Sequence, residues 1–371
     1  MRKIEILLLL LLLISLSSSE MNRTTFAKYE PPDGKVLVFL GQDNEAMGSN
    51  DASQLDPPGE QIWENGYMDH FYPVLGAPAG ITHYVYMTEG KENAFGRNFE
   101  PGSVYGLNSV VEWAAGDMCL RCYLDNPREV YKGTIIHLSI SMEFDSEDDI
   151  AAGKSDHLIQ EVGDFLEEFS EYPFMIRIGY EFDGAWNNYD STNYKKAFIR
   201  MVDHWQGRGI ENFATVMASS SQFVKEEIWN AYYPGDSYVD WVGYSFFDPG
   251  AKDDAPALNF ARKHRKPVMI AEATPFKKTD MKKDKGDKLW KNWFVPLFDH
   301  IEANQDVIKA LCYINSEWIK HEMWNKSDVF RIDTRLQENE ELTELWINKM
   351  KEVQYIHSTE GLYELISHKD K

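Results

Sequence analysis

What most constrains this chain is a rhythm. Apolar runs of strand length recur along it: KVLVFL from Lys35, ITHYVYM from Ile81, TIIHLSISM from Thr134, FMIRIGYE from Phe174, FATVMAS from Phe213, VDWVGYSFF from Val239, PVMIAE from Pro267 and ALCYIN from Ala310. They are rich in β-branched and aromatic residues, as strands covered on both faces must be. Segments of helical period lie between them. HLIQEVGDFLEEF places Leu158, Val162, Phe165, Leu166 and Phe169 on one face, and YKKAFIRMVDHW does the same with Phe198, Met201, Val202 and Trp205 before Gly207 and Gly209 interrupt it. KLWKNWFVPLFDHI and ENEELTELWINKMKEV flank the last run. Buried strand alternating with amphipathic helix, eight times over, predicts an α/β chain folded as a (β/α)8 TIM barrel. The competing doubly wound open sheet usually opens with a glycine-rich turn after its first strand. Here the first run leads into GQDNEAMGSND, which has no such fingerprint. No linker rich in Ser, Pro or Gly divides the chain, so residues 21–371 read as one domain.

Residues 1–20 read as a secretory signal peptide. Arg2 and Lys3 precede an apolar run from Leu7 to Leu16, and Ser17, Ser18 and Ser19 suit cleavage. The run is too short to span a bilayer. An exported protein with no membrane partner is therefore expected. The net charge is −22, and removing Arg2, Lys3, Glu5 and Glu20 together leaves it unchanged. Such a surface repels nucleic acid and anionic lipid, and it suits a neutral partner. Three cysteines make no disulfide framework. Cys119 and Cys122 could close one local bridge after export, while Cys312 lies in an apolar run and reads as core. The lysines from Lys277 to Lys288 read as a solvated loop.

In a barrel of this kind the chemistry gathers at the C-terminal ends of the strands. The third strand offers Glu143 and Asp145 there, the fourth Glu181 and Asp183, the sixth Asp248, the seventh Glu272, and the eighth Asn315, Glu317 and Trp318. Most of these are ordinary loop acids. Glu181 and Glu272 differ, because each ends a strongly apolar run with no polar lead-in. Strand ends four and seven face one another across a barrel mouth. Two carboxyl groups about 5 Å apart there would support retaining glycoside hydrolysis, which needs neither metal nor cofactor. Aromatic residues point the same way: Trp186, Tyr189, Phe247, Trp318 and Trp324 fall in or beside the strand-end loops. Rings can pack on the C–H faces of sugars.

RIGYEFDGAW, around Glu181, resembles the acid/base segment of glycoside hydrolase family 26, a family of retaining β-mannanases and related endo-β-glycanases. PVMIAEATP resembles its nucleophile strand, YVDWVGYSFFD its sixth strand and ALCYINSEW its eighth. The resemblance implies Glu181 as general acid/base, Glu272 as nucleophile, Arg177 beneath the site holding a carboxylate charged, and Trp186 as a sugar platform. Tyr180, Asp183, Tyr244, Phe247 and Trp318, at or beside the same strand ends, are further expected substrate-binding residues. Two positions depart from the family pattern. Tyr180 stands where a histidine is usual, and Phe247 stands where a tyrosine usually supports the nucleophile, with Tyr244 three residues earlier. Both changes bear on which sugar is accepted.

The function expected is that of a secreted, monomeric endo-β-glycanase acting on a mannan, xylan or glucan type of polysaccharide or its oligosaccharides. Two other readings stay open: a non-catalytic glycan-binding barrel, and a metal-dependent barrel hydrolase using acids such as Glu143 and Asp145.

Overall fold

The computed structural model describes residues 26–41, 75–88, 102–108, 111–113, 116–125, 132–142, 146–250, 255–277, 279–320 and 324–367. The expected signal peptide lies outside them. At the centre are eight parallel strands: β1 (Val36–Gly41), β2 (Gly80–Thr88), β3 (Ile135–Ser141), β4 (Phe174–Ile178), β5 (Phe213–Ser219), β6 (Trp241–Phe246), β7 (Val268–Ala273) and β8 (Ile308–Ile314). Each pairs with the next, and β8 returns to β1 through the register Leu37–Ala310 to Gly41–Ile314. The sheet is therefore a closed (β/α)8 barrel. Among the described residues, no helix is long and apolar enough to cross a membrane.

Every strand residue of the ring is buried. Two cores explain why the runs read as continuously apolar. The outward faces, such as Ile136, Leu138 and Ile140 of β3 and Phe174, Ile176 and Ile178 of β4, pack under the surrounding helices. The inward faces, including Leu37, Ile135, Met175, Val216, Trp241 and Met269, fill the barrel. The helix Asp156–Glu168 buries Leu158, Ile159, Val162, Phe165 and Leu166. The helix Ser191–Gly207 is capped by the Asp190 carboxylate, which accepts from the Thr192 and Asn193 amides at 2.9 and 3.0 Å. It runs through Gly207, and Gly209 then takes φ +79°. One expected helix is interrupted: Trp290–Phe294 forms a π-helical turn ahead of the helix Val295–Ala303. Pro296, which has no N–H to give the preceding turn, follows this segment. Cys119 and Cys122 are joined in a disulfide, and Cys312 is buried and free.

The inner face changes character along the strands. Ile135, Met175 and Trp241 lie at their N-terminal ends. His137, Ser139 and Ser141 on β3, Arg177 on β4 and Ser245 on β6 follow towards the C-terminal ends, and all are buried. Burying such groups is costly unless they are engaged, so this end of the barrel is where a site should be sought.

Candidate active site

Strand β7 delivers Glu272 through an irregularity. Met269 and Ala271 face the barrel interior. Strict alternation would then turn Glu272 outward, under the helices. Instead the register with β6 runs Ile270–Tyr244, then Glu272–Ser245, so two residues of β7 oppose one of β6. The register with β8 shifts at the same place. This one-residue bulge re-aims the strand: Glu272 joins the inner face and Ala273 packs outward in the helix-side core. Glu272 is 6% exposed. Its Oε1 pairs with the Arg177 guanidinium and accepts a hydrogen bond from the Tyr84 hydroxyl at 2.9 Å. Arg177 is fully buried, and the Glu272 carboxylate raises its pKa against the opposing effect of burial. The cation is therefore permanent.

Glu181 is presented differently. The expectation that it directly ends the fourth strand needs correcting, because β4 stops at Ile178 and Glu181 lies in the turn that follows. Gly179 has φ +56°, and a Cβ there would stand 2.5 Å from Met142 and 2.6 Å from the Tyr194 ring. Glu181 itself adopts φ +49°. A left-handed non-glycine residue costs about 1 kcal/mol or more and needs surrounding structure to hold it. Buried Asn187 provides that hold, donating Nδ2 to the carbonyls of Tyr180 and Glu181 at 2.7 and 2.9 Å. The Glu181 carboxyl accepts from Ser245 Oγ at 2.7 Å and from Trp186 Nε1 at 3.0 Å. Burial, followed by the negative charge of Glu272, pushes its pKa up to about 8, against the opposing pull of Ser245 and Arg177. The two carboxyl groups thus share one buried mouth, and one of them is held protonated near neutral pH.

The remaining expected residues divide. Trp186 is 58% exposed beside Glu181, where a flat ligand can reach its ring. Tyr180 lies against the Arg177 guanidinium at 4.9 Å and edge-on to Tyr84 at 5.5 Å. Asp183 turns both carboxylate oxygens to Ser220, each at 2.7 Å, and so ties the turn after β4 to the turn after β5. Phe247 and Trp318 lie in an aromatic cluster beyond β6 to β8, with Phe276, Trp324 and Phe330. Trp318 is 3% exposed and stacks on Trp324 at 5.3 Å. Tyr244 is a correction. It faces outward with Val242 and Phe246, fully buried, and its hydroxyl meets His300 Nε2 at 2.7 Å. Ser245, one residue on, occupies the inward position instead. Tyr189 is also buried, accepting from the Met142 amide. Glu317 pairs with Arg335 at 2.6 Å, and Asn315 caps the Leu336 amide, so both serve structure. Glu143 and Asp145 lie outside the described residues.

A model of glycosyl hydrolase family 26 matches residues 99–322, more than half of the chain. The chain belongs to glycosyl hydrolase family 26. As a family 26 member it is a glycoside hydrolase. It is similar to the β-1,3-xylanase TXYA of a Vibrio species, 26% identical over 358 residues that cover 90% of this chain and 68% of the relative. A β-1,3-xylanase of an Alcaligenes species is 25% identical over the same length, covering 90% of this chain and 67% of the relative. Among solved structures, a family 26 β-mannanase from Bacteroides ovatus superposes with a TM-score of 0.59 at 16% identity, covering 91% of this chain and 94% of that one. A modular endo-β-1,4-mannanase from Cellulomonas fimi gives 0.58 at 14% identity, covering 92% and 80%. These structural likenesses speak for the fold.

Three residues bonded to Glu181 or Glu272 were not singled out from sequence: Tyr84, Ser245 and Asn187. The hydroxyl bonded to Glu272 among the described residues is that of Tyr84 on β2. Alternation carries the signal for it. Ile81, Val85 and Met87 face the helices, which leaves Thr82, Tyr84 and Tyr86 inside.

Proposed function

We propose that this protein is an exported, retaining endo-β-glycanase whose substrate is β-1,3-xylan. The observation that carries the mechanism is the unequal treatment of two carboxyl groups in one mouth. Glu272 faces a permanent cation, while burial and the neighbouring charge keep a proton on Glu181. That division is what double displacement requires. Oε1 of Glu272 is occupied by Arg177 and Tyr84, so Oε2 attacks the anomeric carbon. Glu181 gives its proton to the departing glycosidic oxygen, with its carboxyl oriented by Ser245 and Trp186. A glycosyl ester on Glu272 results. Glu181, now ionised, takes a proton from water, whose oxygen attacks the same carbon and releases Glu272. Trp186 lines the cleft beside the leaving sugar.

Two lines support the substrate. The β-1,3-xylanases match nine-tenths of the chain, whereas likeness to the mannanases rests on fold. Tyr180 also departs from the histidine usual before the acid/base. Export is supported by the basic and apolar N-terminal residues and by the Cys119–Cys122 disulfide, which suits an oxidising compartment.

The test is hydrolysis of β-1,3-xylan, β-1,4-xylan, β-1,4-mannan and β-1,3-glucan by purified protein, with product anomers followed by NMR. Oligosaccharides released from β-1,3-xylan with retained configuration are expected. Glu272→Ala should abolish turnover, and azide should restore some activity with inverted product. A preference for mannan would overturn the substrate. Binding of a glycan without hydrolysis of any would overturn catalysis.

A further inference from the structure

Beneath Glu272 lies a buried polar group of atoms for which the mechanism above has no use. On β3, His137 and Ser139 face the barrel interior, and both are fully buried. Ser139 stands in register between Tyr84 of β2 and Arg177 of β4, and His137 lies one inward position lower, beside Thr82 and Met175. Arg177 uses Nη2 for Glu272, but its Nε and Nη1 have no hydrogen-bond partner among the described residues. The same holds for His137 Nε2 and Ser139 Oγ. Four orphaned polar atoms on two adjacent strands, at neighbouring inward levels of one interior, are hard to reconcile with the cost of leaving each unmade.

The protonation pattern follows from the neighbours. His137 Nδ1 lies 2.9 Å from Thr82 Oγ1, and that oxygen lies 3.0 Å from Cys312 Sγ. Burial, with the Arg177 cation acting in the same direction, keeps the imidazole neutral. Nothing with a proton to spare is favoured towards that cation. With the proton on Nδ1, His137 donates to Thr82 and the Thr82 hydroxyl turns to Cys312. Nε2 then carries the lone pair. The set then comprises two donor nitrogens on Arg177, one acceptor on His137 and a hydroxyl able to play either part. These are the partners a single enclosed water needs.

We propose that His137 Nε2, Ser139 Oγ and the idle N–H groups of Arg177 bind one internal water, and that His137 and Ser139 are thereby positioning residues for Glu272. The proposal rests on the reading of Glu272 as nucleophile. The water fixes the rotation of the guanidinium, and the guanidinium fixes Oε1, so that Oε2 meets the anomeric carbon. Tyr84 on β2, Tyr180 and Glu181 after β4 and Cys312 on β8 are the other titratable groups facing this part of the interior.

Two experiments test it on the full-length protein. A crystal structure at a resolution that shows solvent should contain an ordered water bonded to His137 Nε2 and to Ser139 or Arg177. Density without it would overturn the proposal whatever Glu272 does. In kinetics, His137→Leu should lower kcat on the order of tenfold with KM little changed, because a misaligned nucleophile costs transition-state rather than ground-state binding. His137→Gln, which keeps an acceptor, should recover most of the loss, and a purely structural role would predict no such rescue. A folded Leu variant within about twofold of wild type would sink the idea. If that variant does not fold, Ser139→Ala decides by the same split between kcat and KM. Undiminished turnover by Glu272→Ala would instead remove the functional reading, and the solvent density would still judge the water.

Discussion

The alkaline side of the pH–rate profile should report Glu181. Its carboxyl lies well above the ordinary 4.5, at about 8, with burial the largest cause and the Glu272 charge the next. Glu181 must be protonated to serve as the acid, so kcat/KM for unactivated glycans should fall as pH rises through about 8. Ser245→Ala isolates one cause of that value. The Ser245 hydroxyl donates to Oε1 at 2.7 Å and favours the carboxylate, which lowers the pKa. Removing it should raise the pKa and move the alkaline limb upward. A hydrogen bond to a charged group contributes on the order of 1.5–3 kcal/mol, of which solvent in the mouth recovers part, so a shift on the order of one pH unit is expected. The same group ties stability to pH. Its contribution is fully present below the unfolded value of 4.5 and is lost as pH rises through about 8. A rise of that size corresponds to about 5 kcal/mol at most, at 1.4 kcal/mol per pH unit. Glu181→Gln should remove this dependence and unfold later in denaturant than wild type above about pH 9. A wild-type limb near the ordinary carboxyl range, or a downward movement in Ser245→Ala, would show that Glu181 is not the acid or that Ser245 does not stabilise its carboxylate.

Arg177→Met leaves Glu272 buried without its cation, and chemical denaturation should show a loss of about 3–5 kcal/mol, with turnover lost as well. Tyr84→Phe removes the second donor to Oε1, and kcat/KM should fall by the equivalent of about 1–3 kcal/mol in transition-state stabilisation, measured on a substrate that wild type cleaves. Gly179→Ala drives a methyl group into Met142 and the Tyr194 ring at a φ of +56°. Its thermal midpoint should drop, and kcat should drop with it because the Glu181 turn moves; an unchanged midpoint would show that this turn is not under the constraint described.

The eight strands were legible because a barrel stave is covered on both faces, so its run of apolar residues is unbroken and ends sharply. The helices Asp156–Glu168 and Ser191–Gly207 were legible for the opposite reason, one apolar face repeating at helical spacing. The two glutamates could be picked out because a carboxylate at the end of an apolar run is costly unless a site holds it. Side-chain direction was harder to read. Tyr244 and Ser245 differ by one residue, and strand phase decides which of them meets Glu181. That phase is visible only once Val242 and Phe246 are known to face the helices. Counting by twos along β7 from Met269 would have sent Glu272 out of the barrel, since nothing in the letters VMIAEA announces a bulge. Tyr84, whose hydroxyl bonds Glu272, is hard to pick out because it is one tyrosine among several in a run that reads as core. The chemistry was therefore written locally, at single charged residues. Its support is shared across β2, β4 and β6, and only the closing of the barrel brings Tyr84, Arg177 and Ser245 within reach of the two carboxyl groups.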